Sequence, residues 1–275
     1  MSPVLEIDGL VKSFVKKRNI LGMPSEHTHA VKDVSFTLEK GRTRAIVGES
    51  GAGKSTIGRM ALRLATPDTG SVKLFGEDIM KMSAKDVRKL RRRATMIFQD
   101  PFSSLDPRML IGQSVAEPLT LHTELRGKAR KQKVEELLDR VGLRVDQLDK
   151  YPHEFSGGQL QRIAIARALA TEPELIVCDE PVAALDVSIQ AQVLNLLQDL
   201  QRERGISYLF ISHDLALVKM FAHDVTVMRR GEVVESGSTE QIFNDPQDPY
   251  TKELLSAIPV MNPRKRTARR LVASL

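Results

Sequence analysis

Gly48-Glu49-Ser50-Gly51-Ala52-Gly53-Lys54-Ser55-Thr56 fits the pattern G-x-x-x-x-G-K-[ST], whose residue types suit the holding of a phosphate chain. The glycines let successive backbone N–H groups turn inward around phosphate oxygens, and a helix starting behind them adds a favourable dipole. Gly48, Ser50, Gly51, Gly53 and Thr56 are expected to form this cradle. Lys54 is placed to neutralise β- and γ-phosphates, and the Ser55 hydroxyl to hold Mg²⁺. A second cluster is Leu175-Ile176-Val177-Cys178-Asp179-Glu180, an apolar run ending in two acids. There Asp179 would bind Mg²⁺ through water, and Glu180 would polarise an attacking water as general base. In Phe155-Ser156-Gly157-Gly158-Gln159-Leu160, Ser156 can cap a helix whose first amides stay open to an anion.

These groups need elements to carry them. Arg44-Ala45-Ile46-Val47 is a short apolar strand running into Gly48, and helix formers resume after Lys54. The run Leu175–Cys178 suits a parallel strand buried on both faces. Ligands in open α/β sheets bind at the carboxyl ends of strands, so the two acids should arrive beside the phosphates. Val4 to Ile7 and Ala30 to Leu38 alternate as half-buried strands do. The polar, turn-rich stretch from Lys16 to His29 between them reads as a loop. Residues 84–93 read as helix and Ala94 to Phe98 as strand. From about 100 to 165 helical patterns take over, with Val134, Leu137, Leu138 and Val141 at core spacing. A helix from Gly157 to about Ala170 buries Leu160, Ile163, Ala164 and Ala168. Strand and helix then alternate again through a helix at 188–203 and strands at Tyr208–Ile211 and Val225–Met228. The pattern is an α/β core interrupted by a helical insertion, with a short extension from about 231.

Composition narrows the function classes. Of 275 residues, 41% are hydrophobic and 28% charged, a globular balance. Unbroken apolar runs are far shorter than the roughly 20 residues a membrane-spanning helix needs. The first residues lack a basic stretch followed by an apolar one, which argues against a secretory signal. One cysteine excludes an internal disulfide and any cluster held by four cysteines of this chain. A soluble intracellular protein is therefore expected, with Cys178 an inert core residue. The net charge of +6 invites a nucleic-acid partner. However, the basic residues concentrate in a tail (Arg264, Lys265, Arg266, Arg269, Arg270) and between Lys81 and Arg93. With no tryptophan and 4% aromatics, a base-stacking platform is not evident, and no nucleic-acid partner is expected. A solvated helix face and tail is the favoured reading, with contact to a partner or an anionic membrane surface the alternative. His27 and His29 lack the third ligand a metal site needs.

In this order the motifs resemble those of ATP-binding-cassette (ABC) ATPases over nearly the whole chain. That family runs phosphate loop, glutamine loop, signature, acidic strand end, D-loop and switch histidine. Here these read Gly48–Thr56, Gln99, Ser156–Gln159, Leu175–Glu180, Ala184-Leu185-Asp186 and His213. The resemblance implies a P-loop NTPase (RecA-like) α/β core with an N-terminal antiparallel β subdomain and an inserted α-helical subdomain at about 100–165. It also implies ATP and Mg²⁺ as ligands, ATP being sandwiched between one cassette's phosphate loop and the signature helix of another. Ser156, Gly157, Gly158, Gln159 and Asp186 would serve that second site. Gln99 would sense the metal and the attacking water, and His213 would touch the γ-phosphate. An aromatic side chain stacks on adenine in this family. Phe14 is the candidate, a core position being its alternative, whereas Phe36 alternates with Val34 and Leu38 and reads as core.

A narrower resemblance links Gln99–Arg108, Tyr151–Gln159 and Asp248–Leu255 to the ATPases of oligopeptide and dipeptide importers. It implies a cassette over 1–230, an extension of oligopeptide-transporter type over 231–275, and a place on the cytoplasmic face of the membrane. Its partners would be a second, non-identical ABC ATPase, two membrane permease subunits and, indirectly, a solute-binding protein. Phe102 to Ile111 would dock onto a permease. The tail after Ile258 lacks the cysteine-rich segment some members use for an iron–sulfur cluster, and Ala183 stands where the family often has Ser. The alternative is an ABC ATPase accessory to a soluble complex, of nucleic-acid repair or carbon–phosphorus lyase type.

Overall fold

The structure, a computed structural model, describes residues 3–18 and 24–257. Strands β1 (Pro3–Arg18) and β2 (Pro24–Glu39) form a long antiparallel hairpin, and β3 (Thr43–Val47) leads into helix α1 (Lys54–Ala61). Next come β4 (Thr69–Leu74), β5 (Glu77–Asp78), α2 (Ala84–Leu90) and β6 (Ala94–Ile97). Four helices follow: α3 (Pro101–Ser104), α4 (Ile111–His122), α5 (Gly127–Arg140) and α6 (Gly157–Leu169). The chain then runs through β7 (Leu175–Asp179), α7 (Val187–Arg204), β8 (Ser207–Ile211), α8 (Leu215–Phe221) and β9 (Asp224–Arg229). It ends with β10 (Glu232–Ser238), α9 (Thr239–Asn244) and α10 (Pro249–Ser256).

Two sheets result. One is antiparallel, in the order β2-β1-β4-β5. The other runs β10-β9-β3-β8-β7-β6, parallel throughout except for β10, which lies antiparallel along β9. The central strands are buried on both faces, and the two-residue alternation of a strand feeds two separate cores. Ala45, Val47, Ile176, Cys178, Tyr208, Phe210, Val225 and Val227 point into the core shared with the inserted helices and with α7 and α8. Ile46, Leu175, Val177, Leu209, Ile211 and Met228 point into the core between the two sheets, against Ile57 and Met60 of α1. Phe36 lies in that second core at 8% exposure, as its alternation indicates.

Three features differ from the sequence reading. Within the stretch read as a loop, residues 16–18 and 24–29 are strand instead, with pairs such as Val15–His27 and Lys17–Glu26. An antiparallel backbone ladder closes there without the apolar alternation by which a strand is read from sequence. The small strands β4 and β5 give too little apolar pattern to be seen alone, and gain their order from pairing beside β1. Residues after 231 also join the main sheet through β10. The Lys81–Arg93 cluster divides: Lys81 and Lys89 are exposed, Arg91 donates to the carbonyls of Leu62 and Arg63, and Arg93 pairs with Glu174 at 2.6 Å. The basic residues of the tail lie outside the described residues. No helix among the described residues is long and apolar enough to cross a membrane.

Candidate functional site

Four adjacent parallel strands deliver the motifs to one edge. β3 ends at the phosphate-loop motif, β8 leads to His213, β7 ends at Asp179 with Glu180 next, and β6 leads to Gln99. This is the carboxyl edge, where open α/β sheets bind their ligands. A cavity of about 570 Å³ there is lined by Phe14, Ala30, Ser50, Gly51, Gly53, Lys54, Ser55, Thr56, Gln99, Glu180 and His213.

The loop depends on glycine at two close approaches. Gly53 has φ +98°, and a Cβ there would sit 2.0 Å from the carbonyl oxygen of Ala30. Gly48 has φ +147°, and its Cβ would lie 2.1 Å from the Met228 carbonyl oxygen. The loop is thus wedged between β2 and β9, and any larger residue would push it out of shape. Lys54 is 5% exposed and donates to the carbonyls of Gly48 and Glu49, both at 2.8 Å. Burial lowers the pKa of its ammonium, opposed by the negative charges of Glu180 and Asp179.

The acids are held differently. Asp179 is 2% exposed and accepts a hydrogen bond from the Ser55 hydroxyl at 2.7 Å. Burial raises its pKa, and the Ser55 bond acts against that rise. Glu180 leaves the strand with φ +47°, a left-handed turn that costs a non-glycine residue about 1–3 kcal/mol. The turn aims its carboxylate between two partners. Gln99 Nε2 donates to Oε2 at 3.0 Å, and His213 Nδ1 lies 3.2 Å from Oε1. The strand carries Asp179 into the interior, and the turn turns Glu180 toward the cavity.

Phe14 is 47% exposed at the cavity wall rather than in the core. Its neighbour Ser13 anchors it: the Ser13 N–H donates to Asp68 at 2.7 Å, and its hydroxyl meets His29 Nδ1 at 2.8 Å. Lys12, paired with Asp68 at 2.8 Å, has its ammonium 5.6 Å from the Phe14 ring centre. The remaining predicted residues are elsewhere. Ser156 caps α6, accepting from the Gln159 N–H while the Gln159 side chain accepts from the Ser156 N–H at 3.0 Å. Gly157 and Gly158 open that helix, and Asp186 is the N-cap of α7. None of these five lines the cavity. Ala30 does, and no sequence signal marks it; its place follows from the course of β2 past Gly53. Cys178 is fully buried, and burial pushes its thiol pKa far up.

The ABC transporter family model matches residues 31–183, and a model of the oligopeptide/dipeptide transporter C-terminal region matches residues 234–274. The chain is 48% identical over 272 residues to the glutathione import ATP-binding protein GsiA of Salmonella paratyphi A, covering 99% of this chain and 44% of that protein. To GsiA of Escherichia coli it is 49% identical over 272 residues, with 99% and 44% covered. The chain thus spans less than half the length of these relatives. Among solved structures it is similar to the ATP-binding cassette MJ0796, dimeric in a post-hydrolysis state with ADP and Pi. That match has a TM-score of 0.77 and 28% identity over 86% of this chain and 98% of that one. It is similar also to CbiO1 of Clostridium perfringens, part of the ABC transporter complex CbiONQ, with a TM-score of 0.78, 27% identity, and 98% and 100% covered. A P-loop α/β core with two acids at its carboxyl edge, and a family model matching more than half its length, make this chain a member of the ABC transporter ATP-binding family.

Proposed function

We propose that the chain binds and hydrolyses ATP as the energising subunit of an importer for peptides or a related small solute. The observation that carries this reading is the Glu180 carboxylate, held by Gln99 and His213 in the cavity that Lys54 and Ser55 also line. Glu180 takes the proton of a water placed between it and a terminal phosphate. Gln99 orients that water, and His213 contacts the γ-phosphate. Lys54 and the backbone amides of the loop hold the phosphates, and Phe14 stacks on the base. Ser55, Asp179 and Gln99 offer an all-oxygen donor set that suits Mg²⁺, and Ser55 and Asp179 are already in contact. Bound there, Mg²⁺ would neutralise charge on the phosphates.

Ser156, Gly157, Gly158, Gln159 and Asp186 serve the site of a second cassette, a non-identical paralogue in our reading. Two permeases complete the membrane assembly, with this chain on its cytoplasmic face and a solute-binding protein beyond. A groove of about 310 Å³ between the sheet and the insertion is lined by Leu64, Phe98 and Leu121. Phe102 is 54% exposed on α3, just past the Gln99 loop, and the groove and this residue are where a permease would dock. Residues up to about 230 form the cassette and 231–275 the extension, which lends β10 to the main sheet. The relatives, glutathione import ATP-binding proteins, favour a peptide cargo, of which glutathione is one.

Titration of the purified chain with ATP and Mg²⁺ tests the reading. Lys54→Ala should weaken binding at least tenfold, consistent with loss of a charged contact to phosphate worth about 1.5–3 kcal/mol. Equal affinity would contradict it. ATP-driven uptake of labelled dipeptide or glutathione into vesicles holding the assembled transporter tests the cargo, and uptake of neither would remove it.

A further inference from the structure

The segment Asp248-Pro249-Tyr250-Thr251 has no part in the chemistry above, yet it reaches the phosphate loop. Tyr250 lies in the first turn of α10 and is 3% exposed. Its hydroxyl accepts a hydrogen bond from the backbone N–H of Glu49 at 3.2 Å, across 201 positions of sequence. Glu49 is the second residue of the loop. The Arg229 guanidinium lies 4.6 Å from the Tyr250 ring centre, which fixes the ring from the side of β9. Upstream, the Asp248 carboxylate accepts from the N–H groups of Tyr250 at 2.8 Å and Thr251 at 3.4 Å. Glu235 of β10 accepts in turn from the N–H groups of Gln247 at 2.8 Å and Asp248 at 3.1 Å. A second tie starts from the turn between β9 and β10, where the Gly231 N–H donates to the Ala52 carbonyl at 3.2 Å.

We propose that Tyr250 is a positioning residue: the C-terminal region braces the phosphate loop by holding the Glu49 N–H at its entry while Gly231 holds Ala52. The inference rests on the nucleotide reading above and adds to it a part for α10. An amide engaged by a phenol is not offered to phosphate, so the cradle begins at Ser50 and its entry is fixed before ligand arrives. Preorganisation of this kind saves the cost of ordering a loop on binding. Burial also raises the Tyr250 phenol pKa.

Tyr250→Phe tests the brace, since it keeps the ring, its packing and the Arg229 contact and removes only the acceptor. The exposed neighbour Lys252→Ala serves as control. In the nucleotide-free full chain, amide hydrogen exchange at Glu49 should quicken in Tyr250→Phe and not in Lys252→Ala. By calorimetry, the Kd for ATP and for ADP should rise about two- to tenfold, the range expected for one net hydrogen bond, with the melting temperature little changed. Unchanged exchange at Glu49, or faster exchange with unchanged affinity, would overturn the proposal. If the wild-type chain binds no ATP, the nucleotide reading falls, and exchange at Glu49 still decides the brace. Faster exchange in the variant then supports it, and equal rates overturn it.

Discussion

At the scale of single residues, the proposed binding groups and the proposed proton acceptor are held in different ways. Lys54 and Asp179 are buried and locked to neighbours, whereas Glu180 is steered into the cavity by a left-handed turn. Phe14 illustrates how a residue's exposure bears on its role. Half-exposed at the wall of the cavity, its ring is placed where the base of a bound nucleotide could cover it. Stacking of an aromatic side chain on a base is worth about 1–3 kcal/mol. Phe14→Ala should therefore raise the KM for ATP about tenfold and leave saturated turnover nearly intact, as loss of uniform binding does. A KM equal to that of wild type in steady-state assays would return Phe14 to a purely structural role.

At the scale of elements, the parallel sheet is tied at its other end as well. The His223 ring, just before β9, accepts through Nδ1 a hydrogen bond from the Thr43 N–H at the start of β3, at 3.0 Å. Burial lowers its pKa below the ordinary 6.5, helped by the positive charge of Arg42 and opposed by Asp224. The folded protein therefore prefers neutral His223. The stability this contributes is present above the ordinary histidine range and is lost as pH falls through the lowered folded-state value. The melting temperature should drop between pH 8 and pH 5, and the drop should be smaller in His223→Gln. An equal drop in both proteins would remove His223 from the account. Such ties explain what was legible in the sequence and what was not. Leu175–Glu180 announced itself, because a strand buried on both faces must be apolar throughout and the acids follow it directly. Gly48–Thr56 did so because loop geometry there demands particular residue types. The strand ends at residues 16–18 and 24–29 were not legible, since their order comes from backbone pairing between β1 and β2. The same holds for Ala30, whose place at the cavity depends on where β2 passes the loop, and for the Tyr250 contact with Glu49, which joins residues far apart in sequence.

At the scale of the whole molecule, the site is divided between what this chain gathers and what it holds apart. Ten of the predicted residues line the cavity and Asp179 touches it through Ser55, while Ser156 to Gln159 and Asp186 sit at helix starts outside it. On the proposed reading those helix starts complete a partner's site. The isolated chain at micromolar concentration should then turn over ATP slowly, and adding the paired cassette or the complete transporter should raise the rate manyfold. Full activity from a strictly monomeric preparation would refute the shared site. The proton acceptor is the centre of the account, and Glu180→Gln addresses it most directly. The substitution keeps the shape of the side chain and one of its two acceptor oxygens while removing its ability to take a proton. The measurement is ATP turnover by the assembled transporter, with ATP binding measured in parallel. Turnover should fall by about 10²–10⁴ with ATP still bound through Lys54, Ser55 and the loop amides. Turnover at the wild-type rate would contradict it and move the proton acceptor to another group.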